Sequence, residues 1–73
     1  MAKKSYEERW REYYAERAHR WRGEPWALLG TLEAIMGFQE LTAGQRLQRM
    51  QWAIEAYNNA VEEAASNAQS MPY

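Results

Sequence analysis

The C-terminal third of the sequence carries a regular repeat of apolar residues that strongly limits what the chain can fold into. Along this stretch, apolar side chains recur at alternating steps of four and three residues. They are Ala43, Leu47, Met50, Ile54, Tyr57, Val61, Ala64 and Ala68. Such spacing keeps the apolar residues on one face of an α-helix, in the heptad pattern of helices that pack along one another. It predicts one long helix over about 43–67.

Two earlier segments are also typical of helices. Ser5 and Glu8 form a capping box that begins a helix over 6–22, and Gly23 is suited to end it in the left-handed conformation. Pro25 fits the first position of a second helix over 25–37. Val, Ile and Thr total only five residues whereas Ala alone supplies twelve, a composition that favours helices over sheets. We therefore predict an all-α, three-helix unit in one domain, 1–73, with loose ends at 1–4 and about 68–73.

Composition and motifs argue against most enzymatic chemistry. The 73 residues include no cysteine, which removes disulfides, zinc–thiolate sites and thiol nucleophiles. Neither a phosphate-binding loop nor a Ser/His/Asp grouping is present. Glu16 and His19 have the Glu-x-x-His spacing of di-iron bundles, but both lie on the polar face of the first helix. We expect no enzyme activity, no cofactor and no metal.

Charge and hydropathy limit the partners. A formal net charge of −1 gives no overall basic excess for nucleic acid or anionic lipid. The longest apolar stretch, 25–38, is shorter than the ~20 residues of a membrane span and carries Glu33. The N-terminus lacks the apolar region of a signal peptide. These features predict a cytoplasmic protein that does not associate with membranes.

The first helix gathers aromatic residues and an arginine on one side. At about 100° per residue, Trp10, Tyr14 and Trp21 share a face with Arg17 among them. This face is either the core side of the helix or a contact surface, since Trp, Tyr and Arg are enriched at the residues that dominate binding energy. The pattern alone leaves both interpretations open.

The third helix raises a similar question. Trp52 points away from the heptad face, and Arg49 precedes it by one turn on the same side. Either another helix covers Trp52 or Trp52 anchors a partner. Because a chain of this size has few atoms with which to bury all its aromatic area, we predict a partner-binding set. Its members are Trp52, Arg49, Trp10, Arg17, Tyr14 and Trp21.

The functional hypothesis is a small non-enzymatic protein that binds a larger macromolecular complex and covers one of its surfaces. By analogy of size and class alone, it would be a phage- or mobile-element-type inhibitor acting in the host cytoplasm. One alternative is a DNA-binding regulator that uses the start of the third helix, and another is a helical subunit of an assembly. A homodimer is also possible along the heptad seam, defined as Leu47, Met50, Ile54, Tyr57 and Val61.

Overall fold

The computed structural model describes the backbone of residues 3–70 and the side chains of residues 3–66. Within that range the chain forms three helices and no strand, which confirms the predicted all-α unit. The helices are α1 (Tyr6–Trp21), α2 (Pro25–Met36) and α3 (Ala43–Ser70). The first two end one residue before their predicted limits, and α3 continues three residues beyond residue 67. Of the predicted loose ends, residues 1–2 and 71–73 lie outside the described range.

Local hydrogen bonds explain where the helices begin. Ser5 Oγ accepts a hydrogen bond from the Glu8 amide at 3.1 Å. Thr42 and Gln45 form the reciprocal pair: the Gln45 amide donates to Thr42 Oγ1 at 3.1 Å, and the Thr42 amide donates to Gln45 Oε1 at 2.9 Å. Pro25 occupies the first turn of α2, where a missing N–H costs nothing. All three predicted starts are confirmed.

The end of α1 differs from the prediction. Its C-cap is Arg22 in the right-handed helical conformation, and no glycine among the described residues has a positive φ. The left-handed cap predicted at Gly23 is therefore wrong. Instead, the Gly23 amide donates to the Arg20 carbonyl and the Glu24 amide to the Trp21 carbonyl, at 3.3 and 3.0 Å. These tight right-handed turns satisfy the last carbonyls of the helix without a left-handed residue.

Helices α1 and α3 run in the same general direction, and α2 returns between them. The hydroxyl of Tyr6, at the start of α1, accepts a hydrogen bond from Arg49, and Arg11 further along α1 pairs with Glu55 at 3.3 Å. Residue numbers thus rise together along the two helices. α1 packs more extensively against α3 than α2 does.

The core shows that α3 turns a different face inward from the one its heptad repeat predicts. The buried residues are Tyr14, Ala18, Trp21, Ile35, Trp52, Ala53 and Ala60. Within the heptad seam, Leu47, Ile54 and Val61 are 55, 42 and 41% exposed, whereas Met50 and Tyr57 are half-buried. The seam is therefore not the inner face of the chain. The inner face of α3 carries small alanines instead. Small side chains allow α1 to approach α3 closely, so that the aromatic rings of α1 fill the space between the two helices.

The molecule is more extended than a sphere of the same mass. Its Cα radius of gyration is 14.3 Å, where a packed domain of this length has about 11 Å. The principal extents of 51, 36 and 15 Å describe a flat, elongated body. A thin body of this kind leaves much of each helix facing solvent.

Candidate functional site

Trp52 is a core residue. It is 5% exposed, and its ring lies 6.3 Å from the Tyr6 ring, with the Arg11 guanidinium 5.9 Å from its centroid. Of the two interpretations drawn from the sequence, the covering of Trp52 by another helix is the one observed, and α1 supplies the cover. The expectation that Trp52 is presented to a partner is wrong for the folded chain, because α1 packs over it.

Tyr14 and Trp21 are also enclosed. Tyr14 is 2% exposed and Trp21 3%, so neither can contact a partner while the fold is intact. Burial raises the pKa of the Tyr14 phenol above its ordinary value, and the nearby Arg49 guanidinium opposes this rise. These two residues belong to the core half of the aromatic face of α1.

The aromatic residues of α1 and α3 form one continuous series of ring contacts. From Trp52 the series passes to Tyr6 at 6.3 Å and to Trp10 at 6.4 Å. It continues to Tyr14 at 5.7 Å and to Trp21 at 6.4 Å. All four separations lie within the 4.5–7 Å range in which ring pairs attract one another. The series joins the core to the surface through two half-exposed members, Tyr6 and Trp10.

Arg49 joins this series at its centre and is half-buried there. Its guanidinium carbon lies 3.5 Å from the Trp10 ring centroid and 5.3 Å from that of Tyr6. The same group donates to the Tyr6 hydroxyl at 2.6 and 3.0 Å. The structure therefore brings Arg49 and Trp10 together, and it uses Arg49 to fix the two exposed rings of α1.

The outer half of the aromatic face of α1 faces solvent. We call it the α1 surface and define it as Tyr6, Arg9, Trp10, Tyr13 and Arg17. Tyr6 is 51% and Tyr13 41% exposed, and Tyr6, Arg9, Trp10 and Tyr13 line a shallow depression. Two of the residues predicted for partner binding, Trp10 and Arg17, lie here; Arg49 supports them from below.

Arg17 is exposed and paired with an aromatic ring. Its guanidinium carbon lies 4.5 Å from the Tyr13 ring centroid, within cation–π range. The Tyr13 ring meets the Trp10 ring edge-on at 5.2 Å. Arg17, Tyr13 and Trp10 therefore form a stack that carries a positive charge at its outer end.

Two carboxylates of α1 are engaged by cations outside the α1 surface. Lys4 Nζ contacts the Glu12 carboxylate at 2.6 Å, and Arg11 Nε contacts Glu7 at 2.7 Å. The charged members of the α1 surface itself are Arg9 and Arg17, and Glu16 lies beside Arg9 at its edge.

The start of α3 is committed to internal contacts. Gln45 caps the helix through Thr42, and the Arg46 guanidinium donates to the Leu41 carbonyl at 3.0 Å and to the Met36 carbonyl at 3.5 Å. Arg49 is stacked on Trp10. In the DNA-binding interpretation, Gln45, Arg46, Gln48 and Arg49 are the side chains suited to contact bases or phosphates. All of them except Gln48 are therefore occupied within the fold.

The residues predicted for partner binding leave out part of this surface. Tyr6, Arg9 and Tyr13 belong to the α1 surface, and the signal that could have found them is their spacing. Tyr6, Trp10, Tyr13 and Arg17 follow steps of four, three and four, and so form one stripe of the helix. Tyr14 and Trp21 lie on the adjacent stripe, which is the buried one.

Other site classes find no support among the residues that the structure describes. No helix there is long and apolar enough to cross a membrane. Within residues 3–70, no group of three or more His, Asp or Glu side chains could hold a metal ion. Comparisons with protein-family models, with curated proteins and with solved structures give no match to this chain.

Proposed function

We propose that this chain is a non-enzymatic protein-binding module of the cytoplasm that docks the α1 surface onto a larger macromolecular assembly. It acts by covering the part of the assembly to which it binds, and it has no catalytic role. The observation that carries the proposal is the exposed stack of Trp10, Tyr13 and Arg17, prolonged by Tyr6 and Arg9.

The composition of the α1 surface supports protein binding. Trp, Tyr and Arg are the residues most enriched among those whose truncation costs an interface most. Tyrosine presents a large contact area and has only two side-chain torsions to immobilise, so it loses little entropy on binding.

The α1 surface is held in shape before any partner arrives. Arg49 stacks on Trp10 and donates to the Tyr6 hydroxyl, and Tyr14 packs against both Trp10 and Tyr13. Fixed side chains reduce the ordering cost of association, which raises affinity without new contacts.

The charge of the α1 surface indicates what it would bind. Arg9 and Arg17 lie beside exposed rings, and both are exposed, so each guanidinium can donate a bidentate pair of hydrogen bonds to a carboxylate. A complementary partner surface has an apolar groove for Tyr13 with acidic side chains at its edge.

The proposal is tested with the double variant Tyr13→Ala/Arg17→Ala. Both side chains are exposed, so helicity and melting temperature should stay close to those of the parent chain. Affinity for the partner captured by the parent chain should fall about 30-fold, the equivalent of ~2 kcal/mol. His19→Ala, an exposed substitution on the opposite side of α1, is the matched control and should bind like the parent.

Occlusion is measured separately. Stoichiometric addition of the chain to the captured assembly should lower the activity of that assembly, and the double variant should not. Equal capture by the parent and the double variant would contradict the proposal. Salt-sensitive binding to random duplex DNA, lost as the salt concentration rises, would favour the DNA-binding alternative instead.

A further inference from the structure

The exposed stripe of α3 has the features of a helix–helix interface. Leu47, Ile54 and Val61 recur every seven residues over a length of about 21 Å. Half-buried Met50 and Tyr57 border this stripe on its inner side. Uncharged Gln51 and Asn58 border it on the outer side. Interface centres are similarly depleted of charged residues.

Helix α2 also exposes apolar side chains. Thr31, Ala34 and Ile35 line a cleft together with aromatic residues of α1, so this side of α2 is turned toward α1. Leu29 and Met36 lie roughly opposite Thr31 and Ala34 at about 100° per residue, and both are 61% exposed. The side of α2 opposite this cleft therefore also presents large apolar side chains to solvent.

The exposed charges of α3 favour one orientation of such a pair. Glu62 and Glu63 are exposed in its second half, whereas its two arginines, Arg46 and Arg49, are half-buried and engaged within the chain. A second copy of α3 laid parallel would place these glutamates beside their counterparts, whereas an antiparallel copy keeps the two acidic pairs apart. Like charges across an interface disfavour association, so the antiparallel orientation is preferred.

The exposed stripe Leu47, Ile54 and Val61 is also symmetric about its middle residue. With two copies antiparallel and Ile54 at the two-fold axis, Leu47 meets Val61 of the second copy, and Met50 lies level with Asn58. A two-fold interface requires this reciprocity: where Leu47 of one copy contacts Val61 of the other, Val61 of the first also contacts Leu47 of the second.

The exposed area agrees with an interface of this size. The chain exposes 5,900 Å², about 1,200 Å² more than the ~4,700 Å² expected for a monomer of 8.6 kDa. A stable complex of standard size covers about 800 Å² on each partner. The excess is thus enough for one such interface.

We infer that the heptad seam of α3 binds a second copy of this chain in an antiparallel, two-fold dimer centred on Ile54. The α1 surface shares no residue with this seam and should stay accessible in the dimer. The inference is independent of the proposed function, because the two use different faces of the molecule.

Ile54→Glu tests the interface directly. Sedimentation equilibrium of the parent chain should give twice the 8.6 kDa chain mass. The substitution brings two carboxylates together at the axis and should weaken association at least 100-fold. Gln48→Glu, with a new carboxylate on the same helix but off the seam, is the matched control and should remain dimeric. A monomeric parent chain, or a dimer unaffected by Ile54→Glu, would overturn the inference.

Paired substitutions test the orientation. Leu47→Glu and Val61→Lys should each weaken the dimer, and the double variant should regain most of the loss, because positions 47 and 61 face each other only in the antiparallel arrangement. A double variant weaker than either single one would indicate a parallel pair and overturn the inference. Tyr13→Ala/Arg17→Ala should leave the dimer intact, so failure of the proposed function is distinguishable from failure of this one.

Discussion

Arg49 shows how a single side chain organises the molecule at the residue scale. It stabilises α1 against α3 through a planar contact with Trp10 and hydrogen bonds to the Tyr6 hydroxyl. A lysine at this position would keep the charge but lose the stacking and the fork of donors. A residue proposed from the sequence to contact a partner thus supports the contact surface from within.

Trp52 yields a prediction at the same scale. Trp52→Ala should lower the free energy of unfolding by about 3–5 kcal/mol, because it removes a buried indole and leaves a cavity between α1 and α3. Urea unfolding followed by circular dichroism measures this loss. Trp26→Ala is the matched control, since Trp26 is 66% exposed and its truncation should change stability by no more than about 0.5 kcal/mol. Equal losses in the two variants would contradict the assignment of Trp52 to the core.

Trp52→Phe separates packing from hydrogen bonding at this position. Among the described residues, the Trp52 Nε1 atom is buried without a hydrogen-bond partner. Phenylalanine removes this unpaired donor as well as part of the ring. Trp52→Phe should therefore lower the free energy of unfolding clearly less than Trp52→Ala does.

At the scale of the elements, sequence reasoning finds the helices but not the orientation of α3. Capping residues are local signals, and Ser5, Pro25 and Thr42 mark the helix starts correctly. The inward face is not a local property. Alanines at 53, 56 and 60 are spaced three and four residues apart, like the residues of the heptad seam. The seam residues have larger side chains and therefore give the stronger apolar pattern in the sequence. The smaller ones are buried because they allow two helices to approach closely.

The candidate site is predictable to a similar degree. The aromatic face of α1 is correctly located, and it is core on one side and surface on the other. The sequence leaves those two interpretations open because helical spacing defines a stripe without saying where a neighbouring helix ends its cover. Tyr14 lies under α3 and Tyr13 beside it, although the two are adjacent in the chain.

Gly30 supplies a prediction for α2. It lies inside the helix, and a Cβ added there meets nothing within 4 Å. Gly30→Ala should therefore stabilise the fold by ~1 kcal/mol through helix propensity, and should raise the melting temperature by about 4–8 °C. Ala34→Gly, at an exposed position of the same helix, is the reverse control and should lower it by a similar amount. A fall in melting temperature with Gly30→Ala would show that another group needs this space.

At the scale of the whole molecule, the fold buries only a small part of the apolar surface of its helices. Among residues 3–66, seven form the buried core, and three of them are alanines. The flat body with a radius of gyration of 14.3 Å leaves large apolar side chains exposed on all three helices. Stability of such a chain is expected to depend on association, because a small core supplies only ~3–5 kcal/mol.

This dependence predicts a melting temperature that changes with protein concentration. If two copies pair through α3, mass action stabilises the folded state as the chain concentration rises. The melting temperature should increase by several degrees over a hundredfold range of concentration, measured by circular dichroism or calorimetry. Ile54→Glu should remove the dependence, and Gln48→Glu should preserve it. A constant melting temperature in the parent chain would contradict this expectation.

The alanine face of α3 has a consequence for how this chain tolerates mutation. Ala53 and Ala60 are fully covered, or nearly so, and set the spacing between α1 and α3. An added methyl group at either position would push the two helices apart and displace the rings of Tyr6 and Trp10 from the Arg49 plane. The positions of the exposed rings therefore depend on two small buried side chains. Replacements of the exposed aromatic residues should change which partner is bound, whereas larger residues at 53 or 60 should disrupt the binding surface itself.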